Sequence, residues 1–199
     1  MTTPTNDMNL SGKVAVITGG SGIICSAMAK ALGTQGVKTA ILARKKEKVE
    51  QVAQEIKQST GTESIGLSAD ELDRESLVKA REEIHKKWGQ IDFLINGAGG
   101  NSPKATSRKE KIESEDLQDL ENTFFGLDLE GFDNTFDLNF KGTLLPTLVF
   151  SQEMVERQKG SIVNVSSMNA FRPLTKIPAY SASKAAINNF TQWLAVHFA

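Results

Sequence analysis

Tyr180 and Lys184 stand four residues apart in the run Tyr180-Ser-Ala-Ser-Lys184, and Tyr180 is the only tyrosine in the chain. Residues at that spacing share one face of a helix. A phenol on its own ionises near pH ~10. An ammonium one helical turn away favours the phenolate, so the pair is a candidate general acid/base. A Tyr–Lys pair on a solvated helix surface would show the same spacing, so the residues around it decide.

Several other runs point to one reaction centre. Ser166 and Ser167 follow the apolar run Ser161–Val165 (SIVNV), and a hydroxyl there can donate to a substrate carbonyl oxygen. Asn96-Gly97-Ala98-Gly99-Gly100 is a small-residue turn that would let a flat ring pass close to the backbone. Asn139 lies within FDLNFKGTLL, a stretch of helical character in which an Asn is disfavoured by propensity. It reads either as a satisfied core amide or as a residue that kinks the helix and holds a water. Near the amino terminus, Thr18-Gly19-Gly20-Ser21-Gly22-Ile23 joins a β-rich run to a helical one. Glycines there let a phosphate approach the backbone, and a helix start supplies free N–H groups. The alternative is a tight turn with no ligand.

These groups need elements to hold them. Strand character is expected over 13–18, 37–42, 64–69, 91–95 and 161–165, and helices over 23–35, 45–59, 74–88, 130–156 and from 181 onward. Strand and helix alternate, and the strands are apolar on both faces. This predicts an α/β architecture, a Rossmann-type doubly wound parallel sheet with helices on both faces. Residues 1–199 are expected to form a single dinucleotide-binding and catalytic domain. The excursion Gly99–Gly131 is too long for an ordinary βα loop. It reads as an insertion over about residues 100–130: a short polar helix (RKEKIESED), then an apolar anchor of Phe124, Phe125 and Leu127. It is either a solvated excursion or a wall over a pocket at the strand ends. The sequence stops at Ala199 inside an apolar helix, and such a domain is expected to continue beyond it.

The second strand ends at Leu42-Ala43-Arg44-Lys45. An acidic residue there would hold the 2′-hydroxyl of NAD; Arg44 and Lys45 would suit the 2′-phosphate of NADP, or are simply solvated. Asp70 ends the third strand and reads either as an acceptor for an adenine amino group or as a helix cap. The 199 residues carry a net charge of −1, which excludes a strong field for nucleic acid or an anionic membrane. One cysteine, Cys25, fits a reducing compartment, and no signal-like or membrane-length apolar run is present, so a cytoplasmic location is expected. His85, His197 and Cys25 are too scattered to suggest a metal site.

Taken together, the glycine turn, the Asn-Gly-Ala-Gly turn, Asn139, Ser167 thirteen residues before Tyr180, and YSASK resemble the short-chain dehydrogenase/reductase family over Leu10–Ala199. The resemblance implies a tetrad of Asn139, Ser167, Tyr180 and Lys184. Ser167 and Tyr180 would bond the substrate oxygen, and Tyr180 would give or take the proton. Lys184 would support Tyr180 and hold the nicotinamide ribose, and Asn139 would anchor a water. The cofactor would be NADP or NAD, contacted by Gly19, Ser21, Gly22, Ile23, Arg44, Lys45, Asp70, Asn96, Ala98 and Gly99 besides Tyr180 and Lys184. A homo-tetramer or homo-dimer is implied, and so are two further carboxy-terminal strands not contained in these residues. The family's usual turn is TGxxxGxG; here Ile23 and Cys25 stand at its second and third glycines.

The runs GGSGIICSAMAKAL, INGAGGNSPKAT and SSMNAFRPLTKIPAYSASKAA are further similar to bacterial members known as D-mannonate oxidoreductases (fructuronate reductases). A sugar acid would want a cation and a hydroxyl partner. Arg172 is the first choice for its carboxylate, Lys176 the second, and Asn169 suits a hydroxyl. The expectation is therefore hydride transfer between NAD(P) and a carbonyl or secondary alcohol, with a sugar acid such as D-fructuronate or D-mannonate as substrate. A non-catalytic NAD(P)-binding regulator and a nucleotide-sugar epimerase are the competing readings.

Overall fold

A computed structural model describes residues 9–199. Five strands form one parallel sheet, β1 (Val14–Thr18), β2 (Lys38–Ala43), β3 (Ser64–Ser68), β4 (Phe93–Asn96) and β5 (Ser161–Asn164), in the order β3-β2-β1-β4-β5. Between them run α1 (Ile23–Thr34), α2 (Lys46–Thr60), α3 (Arg74–Trp88), α4 (Leu129–Phe150) and α5 (Gln152–Glu156), and α6 (Pro178–His197) follows β5. The strand order reverses between β1 and β4, which opens a crevice at the carboxyl ends of those strands.

Alternation along β1 shows why both faces are covered. Val14 and Val16 enter one core with Leu42, Leu77, Ile84, Leu94 and Phe150, while Ala15 and Ile17 enter the other with Ala29, Ile41, Val49 and Ile56. Every β1 residue is buried, so the central strand reads as a continuous apolar run. The register sets Thr18 beside Leu42 on one side and Asn96 on the other, and Asn96 beside Asn164. These residues form the rim on which the site is built.

Two expectations are corrected. The segment read as one helix over 130–156 breaks at Ser151, whose hydroxyl donates back to Thr147 O at 2.6 Å. The insertion forms four 3-10 turns (Pro103–Ala105, Ser114–Gln118, Leu120–Asn122, Phe124–Gly126) instead of one polar helix. Of the expected apolar anchor, Phe124 and Phe125 are 60% and 68% exposed and meet edge to face with centroids 5.6 Å apart, so they do not anchor it, while Leu127 is half-buried. Turns of three residues cannot present a continuous stripe to a core. The start of the insertion does lie against the rest of the fold. The Ser107 N–H donates to Lys176 O at 2.8 Å, and Pro103–Ala105 packs on α4 and α6. That is the position of a wall beside the segment leading into Tyr180.

Candidate active site

The turn between β1 and α1 is shaped by contacts a larger residue would destroy. Gly19 sits at φ +60, and a Cβ there would stand 2.8 Å from the Ala98 and Gly97 backbone. Its N–H donates to Glu71 Oε1 at 3.1 Å. The Gly20 N–H donates to Leu42 O at 3.1 Å and the Gly22 N–H to Gly19 O at 2.9 Å. Three amides of the turn, those of Gly19, Gly20 and Gly22, are therefore already paired within the protein. Ser21 and Ile23 keep amides without backbone partners among the described residues. Helix α1 begins with no side-chain cap and no acidic residue in its first turn, and Ile23 is 91% exposed. An uncapped helix start over a glycine cradle fits a pyrophosphate group.

The opposite wall is the turn after β4. Thr18 Oγ1 accepts from the Gly97 and Ala98 amides at 3.1 and 3.3 Å. A Cβ on Gly99 would lie 2.5 Å from Asn139 Oδ1 and 3.4 Å from Lys184 Nζ, so glycine is what lets the turn, α4 and α6 converge. Asn139 has no exposed surface. Its Nδ2 donates to Gly100 O and Thr135 O, both at 2.7 Å, and its Oδ1 accepts from Gly100 N at 3.2 Å. The side chain is a clamp that fastens the Gly100 turn to α4, and α4 runs through it unbroken. Asn96 is likewise committed, donating to Thr147 Oγ1 at 2.9 Å and to Asn164 Oδ1 at 2.8 Å. Through Nδ2 it ties β4 to β5 and α4, while its Oδ1 is buried without a partner among the described residues.

Lys184 is only 4% exposed, and its Nζ donates to Val165 O at 2.8 Å. Burial lowers its pKa from 10.5 to about 8, partly opposed by the nearby Cys25 thiol. The same Nζ lies 5.7 Å from the centroid of the Tyr180 ring, within cation–π range. Tyr180 is half-buried, and its hydroxyl has no partner among the described residues. Ser167 Oγ accepts from the Asn169 N–H at 3.2 Å, which leaves its own proton free to donate. Ser166 ties this strand end to α6 by donating to Lys184 O at 3.3 Å. The structure thus brings Gly99, Asn139, Tyr180 and Lys184 to the carboxyl edge of the sheet, with Ser167 just beyond β5.

Other expected contacts fare differently. Arg44 and Lys45 are exposed at the end of β2, with Ser68 Oγ donating to Arg44 O at 2.9 Å. Asp70 uses Oδ1 to accept from Leu72 N at 2.9 Å, a turn role, while Asp73 caps α3. Arg172 is exposed and Lys176 half-buried. Asn169 is corrected: it is buried with its Oδ1 closed off and unpartnered, because the 3-10 turn Met168–Ala170 packs on α6. Sequence reasoning passed over Glu71, which is buried in the β3–α3 turn and holds Gly19. A third acidic residue in the Asp70-Glu71-Leu72-Asp73 run, beyond what one cap needs, was the available signal. No helix of the described residues is long and apolar enough to cross a membrane.

Comparison with known proteins agrees with this geometry. The family model for short chain dehydrogenases matches residues 13–199. The chain belongs to the short-chain dehydrogenase family. It is 49% identical over 191 residues to the uncharacterized oxidoreductase UxuB of Bacillus subtilis (strain 168), covering 96% of this chain and 67% of that protein. A provisionally assigned D-mannonate oxidoreductase from Haemophilus influenza, crystallised with NAD, superposes with a TM-score of 0.90 at 48% identity, covering 96% of this chain and 67% of that one. L-Sorbose reductase from Gluconobacter frateurii, complexed with NADPH and L-sorbose, superposes at 0.77 with 26% identity over 96% of this chain and 66% of that one. The chain spans about two thirds of the length of these relatives.

Proposed function

We propose that this chain is the dinucleotide-binding and proton-transfer portion of an NAD(P)-dependent oxidoreductase that interconverts a carbonyl and a secondary alcohol. One observation carries the reading: a free phenol and a buried ammonium share the strand-end crevice with an uncapped glycine cradle. The Ser21 and Ile23 amides and the α1 start would hold the pyrophosphate, with Gly97–Gly99 letting the ring system lie close to the backbone. When bound, the cofactor supplies or accepts the hydride at the substrate carbon. The Tyr180 hydroxyl, without a partner among the described residues, would then donate its proton to the substrate oxygen, or take it in the reverse direction. Ser167 donates a hydrogen bond to the same oxygen. The Lys184 ammonium stabilises the phenolate left behind, and Asn139 keeps the Gly99–Gly100 turn in register with that ammonium.

The substrate class we propose is a sugar acid, D-fructuronate or D-mannonate. Supporting it are the name given to the Haemophilus relative, the sugar bound to the sorbose reductase, and an exposed cation, Arg172, in the segment before Tyr180. Either nicotinamide cofactor suits the β2 end, where Arg44 is exposed and no acidic side chain directly follows Leu42-Ala43. A homo-dimer or homo-tetramer using α4 and α6 belongs to the same proposal, because Leu148, Trp193 and Val196 leave apolar surface open there. The test is a panel of sugar acids with each cofactor, followed by nicotinamide absorbance. Reduction of D-fructuronate that weakens at least tenfold in Arg172→Ala supports the reading. Activity confined to uncharged polyols overturns the substrate class, and nucleotide binding without turnover favours a regulator.

A further inference from the structure

Glu71 is 4% exposed although it lies in a turn between β3 and α3. Its Oε1 accepts from the Gly19 amide at 3.1 Å, in the same turn whose Ser21 and Ile23 amides have no backbone partner among the described residues. A Cβ on Gly142 of α4 would lie 3.8 Å from the Glu71 Cβ, so the side chain is wedged between α4 and the glycine turn. The charged groups around it are few. Asp70 stands on its own turn and Arg44 at the end of β2, whereas the glycine turn and the facing part of α4 present Gly19 and Gly142. Desolvation raises the pKa of Glu71, and Asp70 adds to that; the two backbone hydrogen bonds and Arg44 oppose it.

We propose that Glu71 is a positioning residue for the dinucleotide: its carboxyl group props the Gly19 turn from beneath, and its charge sets how tightly that turn holds a pyrophosphate. The inference rests on the dinucleotide reading given above. A pyrophosphate on the Ser21 and Ile23 amides would share one short turn with the buried carboxylate, in a region that water screens poorly. The neutral acid keeps an oxygen to accept from Gly19 and removes the repulsion. Binding therefore favours uptake of a proton at Glu71, and affinity falls as pH rises through its titration.

The experiment is the dissociation constant of NADH for the full chain between pH 5 and 8.5, read by nucleotide fluorescence, in wild type, Glu71→Gln and Glu71→Leu. NADH is the probe because a 2′-phosphate would titrate near pH ~6 itself. Wild type is expected to weaken by about fivefold or more across the range. Glu71→Gln, which keeps the acceptor without the charge, should lose the part of this pH dependence that Glu71 supplies, keep only that of Lys184 near pH 8, and bind more tightly than wild type at pH 8. Glu71→Leu should bind weakly at every pH. The Gly19 amide resonance of the free protein should shift with pH in wild type and not in Glu71→Gln. Parallel pH profiles in wild type and Glu71→Gln overturn the role of Glu71 and leave the dinucleotide reading standing. A titrating Gly19 amide in a protein that binds no NADH at any pH overturns the dinucleotide reading, and this proposal with it.

Discussion

Replacing Asn139 by Ala should unfasten the turn that carries Gly99. The wild-type side chain makes three hydrogen bonds with no solvent exposure, two of them to the Gly100 backbone across 39 residues of sequence. Removing it leaves the Gly100 N–H and the carbonyl oxygens of Gly100 and Thr135 without that partner. Each net bond is worth about 1 kcal/mol and each stranded group somewhat more, so a loss of about 2–4 kcal/mol is expected. For a chain of this size that lowers the unfolding midpoint by about 5–15 °C. Turnover should fall further than stability alone accounts for, by about 10- to 100-fold, because Gly99 no longer holds its place beside Lys184. Asn139→Asp sharpens the argument. It sets carboxylate oxygen against two carbonyl oxygens, so the introduced acid should have a raised folded pKa. Its stability is then best in acid and is lost as pH rises through that pKa. Thermal denaturation by circular dichroism at pH 5 and 8, with turnover below the midpoint, measures both effects. An Asn139→Ala protein with an unchanged midpoint and normal turnover would refute the clamp.

Other substitutions test the remaining contacts. A Cβ on Gly97 would meet Cys25 Sγ at 2.1 Å, so Gly97→Ala should be strongly destabilising and Cys25→Gly in the same chain should recover much of the loss, as a double-mutant cycle in thermal unfolding would reveal. Lys184 has a folded pKa of about 8 against 10.5 unfolded, so its contribution to stability is full above the unfolded value and is lost as pH falls toward about 8. The wild-type midpoint should therefore rise from pH 8 to 10 relative to that of Lys184→Met, and equal slopes would contradict the buried ammonium. Arg44→Ala should weaken NADPH by about tenfold and leave NADH nearly untouched, as competition titrations would show.

The elements were legible because their patterns are local. The β1 run VAVIT is buried at every position and can be nothing but a central strand, and α3 follows its apolar spacing through Leu77, Ala80 and Ile84. The Tyr180–Lys184 spacing survived for the same reason, since a helix fixes it. What escaped depends on partners distant in sequence. Asn96 looks like one residue of a turn until Thr147 and Asn164 are beside it. Glu71 looks like one acid among several until Gly19 is found donating to it. The insertion misled because its charge density suggested a helix, whereas contacts to Lys176 and the capping of short turns decide its path.

The account stands most directly on the phenol of Tyr180. Turnover of the full chain should be followed by nicotinamide absorbance with the preferred hydroxy acid, in wild type and in Tyr180→Phe, alongside NADH binding. The account predicts that Tyr180→Phe binds NADH as wild type does and loses at least about 100-fold in kcat. Turnover in Tyr180→Phe within a factor of a few of wild type would contradict it.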